Sequence, residues 1–312
     1  MTRDPETPNR SVHSPLVLSY DGLEPDDELM DWVSTGLASG VVIFKENATD
    51  ETRLAAAIAR IRGVASGRFH VMIDEEGGRV RRLPDAPASM PFLRTMESES
   101  PDAVAGAYRR VAERLLPLGI DTLLAPVADV GDPAGAWLRD RTYSDDPRRT
   151  AAMLHAVIPA IQKTGIHACA KHFPGMRAVT IDPHTDVATD PTRPSAWEAI
   201  DAIPFRTAIL AGVHMIMVSH QIMMGFDATR PACLSPLIIR VLLRERLGFA
   251  GLVLTDDLAM GAISKKYPID QAVRAAVEAG ADLVLVCRNR ELQRRAVAWQ
   301  CERQNLQTEA RV

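Results

Sequence analysis

Short apolar runs alternate with longer amphipathic segments along most of this chain. The runs are rich in β-branched residues and predict strands, whereas the longer segments are rich in alanine and predict helices. Several of the amphipathic segments end in glycine, which is typical of a helix that stops before the next strand. The apolar runs begin at Pro15, Gly40, Phe69, Gly119, Ile166, His214, Gly251 and Ala281.

This alternation indicates a parallel sheet that is covered by helices. About eight strand–helix units in 312 residues fit a single-domain α/β fold, the (β/α)8 barrel of TIM type, better than an open doubly wound sheet. A nucleotide-binding sheet would carry a GxGxxG or GxxxxGK turn after its first strand, and neither string occurs. We therefore predict one barrel domain over residues 15–312, a disordered leader over residues 1–14, and a short final helix.

The composition and charge of the chain limit the kind of partner that it can have. Hydrophobic residues make up 46% and charged residues 24%, which allows a large core and excludes global disorder. A formal net charge of −4 argues against a protein that binds nucleic acid or a membrane surface. We therefore expect a small molecule as the partner, while the oligomeric state stays open.

The cysteines and the N-terminus predict where the protein works. Four cysteines lie far apart, with no CxxC pair and no Cys/His cluster at metal-ligand spacing. This pattern is typical of a reducing compartment and argues against a disulfide scaffold. The polar N-terminus lacks the apolar region of a signal peptide, and no apolar run approaches the roughly 20 residues that span a bilayer. We expect a cytoplasmic protein.

Polar and charged residues directly follow several of the predicted strands. In a barrel of this kind, chemistry takes place at the carboxyl ends of the strands. A charge at such a place is costly to bury unless it is paired or faces a polar cavity. Any single one could be a capped strand end or a loop salt bridge, but four strand ends together favour a polar pocket. The residues are Asp74, Glu75, Glu76, Arg79, Lys171, His172, Ser219, His220, Asp256 and Asp257.

The segment 171–186 contains much of the candidate chemistry. Lys171 and His172 can donate hydrogen bonds to the hydroxyl groups of a ligand. Asp182 and His184 are two positions apart, so that the carboxylate could accept a hydrogen bond from the imidazole. Such a contact fixes the tautomer and raises the imidazole pKa, as general acid–base catalysis near neutrality requires. On spacing alone, a solvated loop with an incidental Asp–His pair is the favoured interpretation.

Four motifs, in their order and spacing, resemble those of one enzyme family. They are DEEGGRV, RTYSDDP, KHFPG followed by DPH, and LGFAGLVLTDDLAM. Together they resemble glycoside hydrolase family 3, specifically its single-domain β-N-acetylglucosaminidases, from about Leu16 to about Arg290. The resemblance implies a (β/α)8 barrel that removes terminal N-acetylglucosamine from muropeptides or chitin-type oligosaccharides. It also implies an exo-acting, retaining reaction through a covalent glycosyl-enzyme, without a metal or organic cofactor.

By position, the resemblance implies roles for eight residues of this chain. Asp256 corresponds to the nucleophile, His184 to the acid/base, and Asp182 to the carboxylate that polarises His184. The residues implied to hold the terminal sugar are Asp74, Arg82, Arg141, Lys171 and His172.

Two of these assignments have alternatives in the sequence. For Arg141, a salt bridge with Asp145 or Asp146 is the simpler interpretation. Asp257 could be mistaken for the nucleophile, but consecutive strand residues point to opposite faces. We therefore expect only one of Asp256 and Asp257 to face the substrate.

The loop that follows KHFPG departs from the family pattern. Met176 and Arg177 stand where the family has His-Gly, and the loss of that glycine removes conformational freedom. Pro183 biases Asp182 toward extended geometry.

Three other functions therefore stay open. One is a glycoside phosphorylase, because a histidine repels phosphate less than a carboxylate does and Arg177 would attract it. The second is a catalytically weak barrel that binds or senses N-acetylglucosamine. The third is a lyase or aldolase that uses Lys171 as a Schiff base.

Overall fold

A computed structural model describes residues 14–84, 91–132, 138–179 and 186–309 of the chain. Within these ranges the chain alternates between strands and helices, as the hydrophobic pattern predicts. The strands are β1 (Leu16–Leu18), β2 (Gly40–Ile43), β3 (His70–Ile73), β4 (Thr122–Leu123), β5 (His167–Phe173), β6 (Thr189–Asp190), β7 (Met215–Val218), β8 (Ile222–Met223), β9 (Leu252–Thr255) and β10 (Val284–Leu285).

Eight of the described strands form one parallel sheet with the order β10-β1-β2-β3-β4-β5-β7-β9. A parallel bridge between Leu254 and Leu283 brings the two ends of this sheet together. Each of the eight strands lies inside one of the eight apolar runs. The predicted (β/α)8 barrel and its single-domain architecture are confirmed.

The helices lie around this barrel and most begin at a residue that suits a helix start. Asp26, Asp50, Ser100 and Asp146 each accept a hydrogen bond from a backbone N–H of the first turn. The α-helices are α1 (Asp27–Ser34), α2 (Glu51–Val64), α3 (Pro101–Leu115), α4 (Pro147–Gln162), α5 (Pro194–Ala199), α6 (Ala202–Leu210), α7 (Gly261–Ser264), α8 (Ile269–Ala279) and α9 (Arg290–Glu309), with a π-helix at Leu237–Arg246. The prediction of a short final helix is wrong, because α9 has 20 residues.

Successive side chains along each strand point to opposite faces of the sheet, and this divides the core into two layers. On β1, Val17 packs inside the barrel, whereas Leu16 and Leu18 pack between the sheet and the helices. The barrel interior is filled by apolar side chains such as Met72, Leu124 and Met217. This packing closes the barrel from within, so a ligand can enter only at the ends of the strands.

A second, two-stranded sheet was not predicted. In it, β6 and β8 pair in parallel, with Thr189 opposite Ile222 and Asp190 opposite Met223. Strands of two residues are too short to produce a hydrophobic period in the sequence. The pairing joins the loop after β5 to the loop after β7, on the side of the barrel where the strands end.

The predicted leader lies outside the described residues, except for Ser14. Ser14 is buried, and its hydroxyl donates a hydrogen bond to the Leu37 carbonyl at 2.6 Å. In the described part of the chain, no helix combines the length and the apolar character that crossing a membrane requires.

Three histidines lie at the opposite end of the barrel, where the strands begin. His70 and His167 are the first residues of β3 and β5, and His214 directly precedes β7. The rings of His167 and His214 stack with 3.7 Å between their centroids. Burial, together with His167 and Arg68, lowers the pKa of His214 to about 4, and Asp121 opposes this shift only in part. Burial also lowers the pKa of His167.

We expect this histidine pair to make the fold sensitive to acid. The unfolded chain takes up protons near pH 6.5, whereas the folded pair resists them until the pH is much lower. Stability is therefore present above pH 6.5 and is lost as the pH falls from there toward 4, by about 1–3 °C in Tm per pH unit after allowance for partial exposure. His214→Asn should reduce the slope of Tm against pH, measured by thermal unfolding.

His155→Asn is the matched control, because His155 is exposed on α4. Its Tm should follow the wild-type slope. Identical slopes for His214→Asn and the wild type would contradict the role of the stacked pair.

Candidate active site

A cavity of about 240 Å³ opens where the barrel strands end. It is bordered by residues that end or directly follow β2, β3, β5, β9 and β10. Six of the eight predicted site residues line this cavity. They are Asp74, Arg82, Arg141, Lys171, His172 and Asp256.

The other two predicted site residues, Asp182 and His184, lie outside the described residues, as does Pro183. Their assignment as the acid–base pair stays a prediction.

A lysine ammonium group lies at the centre of the charged part of the cavity. Lys171 Nζ is 2.6 Å from Asp74 Oδ1 and 2.6 Å from Glu76 Oε1. Arg82 Nη2 lies 3.2 Å from the other oxygen of Asp74. Arg141 binds Glu76 with two hydrogen bonds, of 2.9 Å from Nε and 2.8 Å from Nη2. Three cations and two anions thus alternate in one connected network.

The charges in this network hold one another in the ionised form. Burial by itself would raise the pKa of Asp74, but Lys171 and Arg82 lower it below its usual value. Glu76 shows the same balance, with Arg141 and Lys171 lowering its pKa. Burial would lower the pKa of Lys171, but Asp74 and Glu76 raise it instead. Lys171 is therefore a charged hydrogen-bond donor at neutral pH.

Glu76 is the carboxylate that binds Arg141, a role that the sequence did not predict. The expected partners of Arg141 are engaged elsewhere, since Asp145 pairs with Arg94 and Asp146 caps α4. Arg141 instead binds Glu76, whose side chain is 1% exposed. The only signal in the sequence was the run of three acidic residues after β3.

Asp129 is a second residue that sequence reasoning missed. Its carboxylate is fully buried and lies 2.7 Å from His172 Nδ1. It also accepts hydrogen bonds from the backbone amides of His172 and Met176, at 3.2 and 3.0 Å. Because Nδ1 is bound to Asp129, the ring of His172 presents Nε2 as its other polar atom. Asp129 lies within the fourth apolar run, six positions after the end of β4, so it did not stand out as a residue that follows a run.

Two adjacent aspartates follow β9, and their carboxylates differ. Asp256 Oδ1 accepts a hydrogen bond from the backbone amide of Asp257 at 2.8 Å. Burial would raise the pKa of Asp256, but His220 and His172 hold it below its usual value. Asp256 is therefore an anion at neutral pH. Burial raises the pKa of Asp257 to about 7, and the charge of Asp256 adds to this shift.

Which of these two aspartates faces the substrate stays a prediction. Both Asp256 and Asp257 line the cavity, so strand alternation does not separate them. The reason is that β9 ends at Thr255, so neither aspartate belongs to the strand. The alternation of side chains applies only to extended backbone within the strand.

The first part of the loop after β5 is bound at several points. The carbonyls of Pro174 and Gly175 accept hydrogen bonds from Trp197 Nε1 at 2.7 Å and from Gln221 Nε2 at 2.6 Å. Gly175 has φ of 114°, and a Cβ there would lie 3.0 Å from the Cβ of Asp201. The loop therefore requires glycine at position 175.

Met176 and Arg177 are accommodated in this loop without a glycine. Met176 is buried and packs in one cluster with Val179 and two other apolar residues. Arg177 Nη2 donates a hydrogen bond of 3.4 Å to the buried carboxylate of Asp201. Among the non-glycine residues of the described ranges, only Arg288 has a φ in the left-handed region. The backbone at position 177 thus adopts a conformation that any residue can take.

Glu76→Gln should destabilise the fold, because it leaves Lys171 and Arg141 buried with one carboxylate fewer. Removal of one partner from a buried charge pair costs about 3–5 kcal/mol. We expect a loss of unfolding free energy toward the lower end of this range, measured by urea denaturation.

Asp270→Asn is the matched control for this variant. Asp270 pairs with Arg295 at 2.8 Å, but their side chains are 42% and 48% exposed. Such a pair contributes about 0–1 kcal/mol. Equal losses in the two variants would mean that the buried network contributes no more than an ordinary surface ion pair.

Comparison with known proteins places the chain in a defined group. Residues 11–311 match the family model described as the glycosyl hydrolase family 3 N-terminal domain. The chain is 34% identical over 285 residues to a β-hexosaminidase of Thiobacillus denitrificans, over 89% of this chain and 79% of that protein.

Solved structures of similar proteins share the fold. A family 3 β-N-acetylglucosaminidase from a Paenibacillus species superposes with a TM-score of 0.89 at 29% identity, over 93% of this chain and 56% of that one. This chain therefore spans little more than half the length of that enzyme. NagZ from Neisseria gonorrhoeae, in complex with N-trifluoroacetyl-D-glucosamine, superposes with a TM-score of 0.82 at 27% identity, over 90% and 83% of the two chains.

Proposed function

Since the chain belongs to glycosyl hydrolase family 3 and is a glycoside hydrolase, we propose that it is a retaining exo-β-N-acetylglucosaminidase. Its substrates in this proposal are muropeptides or chitin-type oligosaccharides with a terminal N-acetylglucosamine. The observation that carries the proposal is the ionised Asp256 in a cavity shared with the Asp74–Lys171–Glu76 network. Further support comes from the β-hexosaminidase relative and from the glucosamine derivative bound to the NagZ structure.

The size and closure of the cavity support action on a chain end. The cavity has a volume of about 240 Å³, below the range of roughly 300–1,000 Å³ that is usual for drug-sized ligands. Met217 and Leu124 line it and also belong to the packed barrel interior, so its floor is closed. A pocket of this size with a closed floor suits one terminal sugar.

The charged network supplies the groups that bind the hydroxyls of this sugar. Two of the three N–H donors of Lys171 are directed to Asp74 and Glu76, which leaves one for a ligand. Asp74 and Arg82 offer acceptor and donor positions beside it. Hydrogen bonds that involve charged groups are about twice as strong as neutral ones, so a few suffice to orient the ring.

Asp256 then acts as the nucleophile in the first half of the reaction. Its Oδ1 is occupied by the amide of Asp257, so Oδ2 is the oxygen that attacks the anomeric carbon. The bond from that carbon to the leaving oxygen breaks, and the electron pair of the bond stays with the oxygen. A proton from His184, which Asp182 polarises, neutralises the leaving oxygen.

In the second half, water replaces the enzyme at the anomeric carbon. His184 takes a proton from the water, whose oxygen attacks the glycosyl ester and releases the Asp256 carboxylate. Two inversions at one carbon give overall retention. No metal or organic cofactor takes part in this sequence.

The proposal includes a cytoplasmic location and a place in peptidoglycan recycling. Cys169, Cys233 and Cys287 are free and buried in the structure, as a reducing compartment allows. The partner in this proposal is a small carbohydrate and neither nucleic acid nor a membrane.

Two of the three other functions, the phosphorylase and the Schiff-base enzyme, are disfavoured by the contacts of Arg177 and Lys171. The charge of Arg177, which would attract phosphate in a phosphorylase, is paired with the carboxylate of Asp201. Lys171 has a raised pKa, whereas a Schiff-base lysine needs a lowered one. We therefore propose hydrolysis rather than phosphorolysis or carbonyl chemistry.

Asp256→Ala should lower turnover of an aryl β-N-acetylglucosaminide to the background rate, because no covalent intermediate can form. The fold should persist, since Asp256 donates its backbone amide, not its side chain, to the strand pairing. The wild type should hydrolyse this substrate in preference to the aryl β-glucoside, and proton NMR should show the β-anomer as first product.

Asp140→Asn is the control, because Asp140 pairs with Arg79 and does not line the cavity. It should retain wild-type turnover. Near-normal activity of Asp256→Ala, or preference of the wild type for the glucoside, would refute the proposed function.

His184→Ala should slow the first step most for substrates with poor leaving groups. A good aryl leaving group departs without protonation, whereas an alkoxide needs a proton. General acid catalysis contributes about 10²–10⁴-fold, which sets the loss expected for the poor leaving group. Pre-steady-state rates with a series of aryl substrates measure this dependence.

Asp182→Asn should show a smaller loss in the same direction, because the imidazole is retained. An equal loss for good and poor leaving groups in His184→Ala would rule out His184 as the acid.

A further inference from the structure

The carboxylate of Asp257 is bound on one side only. The backbone amides of Ala259 and Cys287 both donate to Oδ1, at 3.0 and 2.9 Å. No other described residue forms a hydrogen bond with Oδ2, although Asp257 is one of the residues that line the cavity. The two amides thus hold the side chain in one orientation and leave Oδ2 for a ligand.

The charges around Asp257 disfavour a second anion at this place. Asp256 is the adjacent residue, and its carboxylate lies in the same cavity. The charge of Arg288 lowers the pKa of Asp257, but its guanidinium is exposed and lies 3.3 Å from Glu46. His220 Nε2 is hydrogen-bonded to the Asp257 carbonyl and does not compensate the side chain.

We propose that Asp257 is a further sugar-binding residue, whose Oδ2 donates a hydrogen bond to an oxygen of the sugar bound beside Asp256. This inference rests on the proposed function, because it takes N-acetylglucosamine as the ligand. The proton belongs on Oδ2, because Oδ1 already accepts two hydrogen bonds.

The electrostatics of the site support a proton on this group. Burial and the charge of Asp256 raise the pKa of Asp257 to about 7. Below pH 7 the neutral acid can donate to the sugar. Above pH 7 the group becomes an anion beside Asp256, the donor is lost, and binding of the sugar weakens.

Asp257→Asn tests this proposal because it imitates the protonated acid. The amide oxygen can still accept from Ala259 and Cys287, and the amide nitrogen always carries a donor. In the wild type, the dissociation constant of N-acetylglucosamine should rise between pH 6 and pH 8, by about tenfold one unit above the pKa. In Asp257→Asn, this rise should be absent, while the affinity at pH 6 and the Tm stay close to wild type.

The measurement is titration calorimetry of N-acetylglucosamine across this pH range. Asp74, Asp256, His172, His220 and Arg288 are also charged or titratable groups at the site, but both proteins contain them. Asp140→Asn should keep the wild-type profile and shows that loss of an acidic residue alone has no effect.

Two results would overturn the proposal. One is a pH profile of Asp257→Asn that parallels the wild type, which would mean that Asp257 only orders the backbone. The other is a folded Asp257→Asn variant that does not bind the sugar at any pH. Because binding is measured without turnover, failure of this inference is distinct from a wild type that does not hydrolyse the aryl β-N-acetylglucosaminide.

Discussion

The ammonium group of Lys171, held between Asp74 and Glu76, is the interaction on which the site depends. A buried charge is tolerated only when partners with good geometry surround it. Lys171 comes from β5, while both carboxylates follow β3, and Arg141 reaches Glu76 from the segment between β4 and α4. The network can therefore form only when these strands are in register. Correct pairing of β3, β4 and β5 and assembly of the charged network thus depend on each other.

The two aspartates after β9 show that identical side chains in one cavity can have pKa values shifted in opposite directions. Asp256 faces His220 and His172, which stabilise its anionic form. Asp257 loses water and gains only two amide donors, so the neutral form becomes accessible near neutrality. Pairs of titratable groups with opposite shifts are typical of sites that divide the tasks of nucleophile and proton-bearing group. Adjacent positions at one strand end are sufficient for this division.

The loop after β5 shows that an unusual sequence need not be a defect. Met176 and Arg177 remove a glycine from the family pattern, which suggested a restrained loop. In the structure, Met176 packs in an apolar cluster and Arg177 pairs with Asp201, while Gly175 has the positive φ. The positive φ of this turn thus lies at Gly175, which the family motif also contains, and position 177 does not need one.

The eight barrel strands were predictable from the sequence because their signals are local. An apolar run that ends in polar residues can be recognised from adjacent sequence positions alone. Asp74, Lys171, His172 and Asp256 were found in this way. Asp182 and His184 stay predictions, since they lie outside the described residues. The partners of the site residues were decided by the tertiary structure. Glu76 and Arg141 are 65 positions apart, Lys171 and Asp74 are 97, and His172 and Asp129 are 43. Only the pairing of β3, β4 and β5 brings such residues together, because no local pattern records which distant charge will neutralise another.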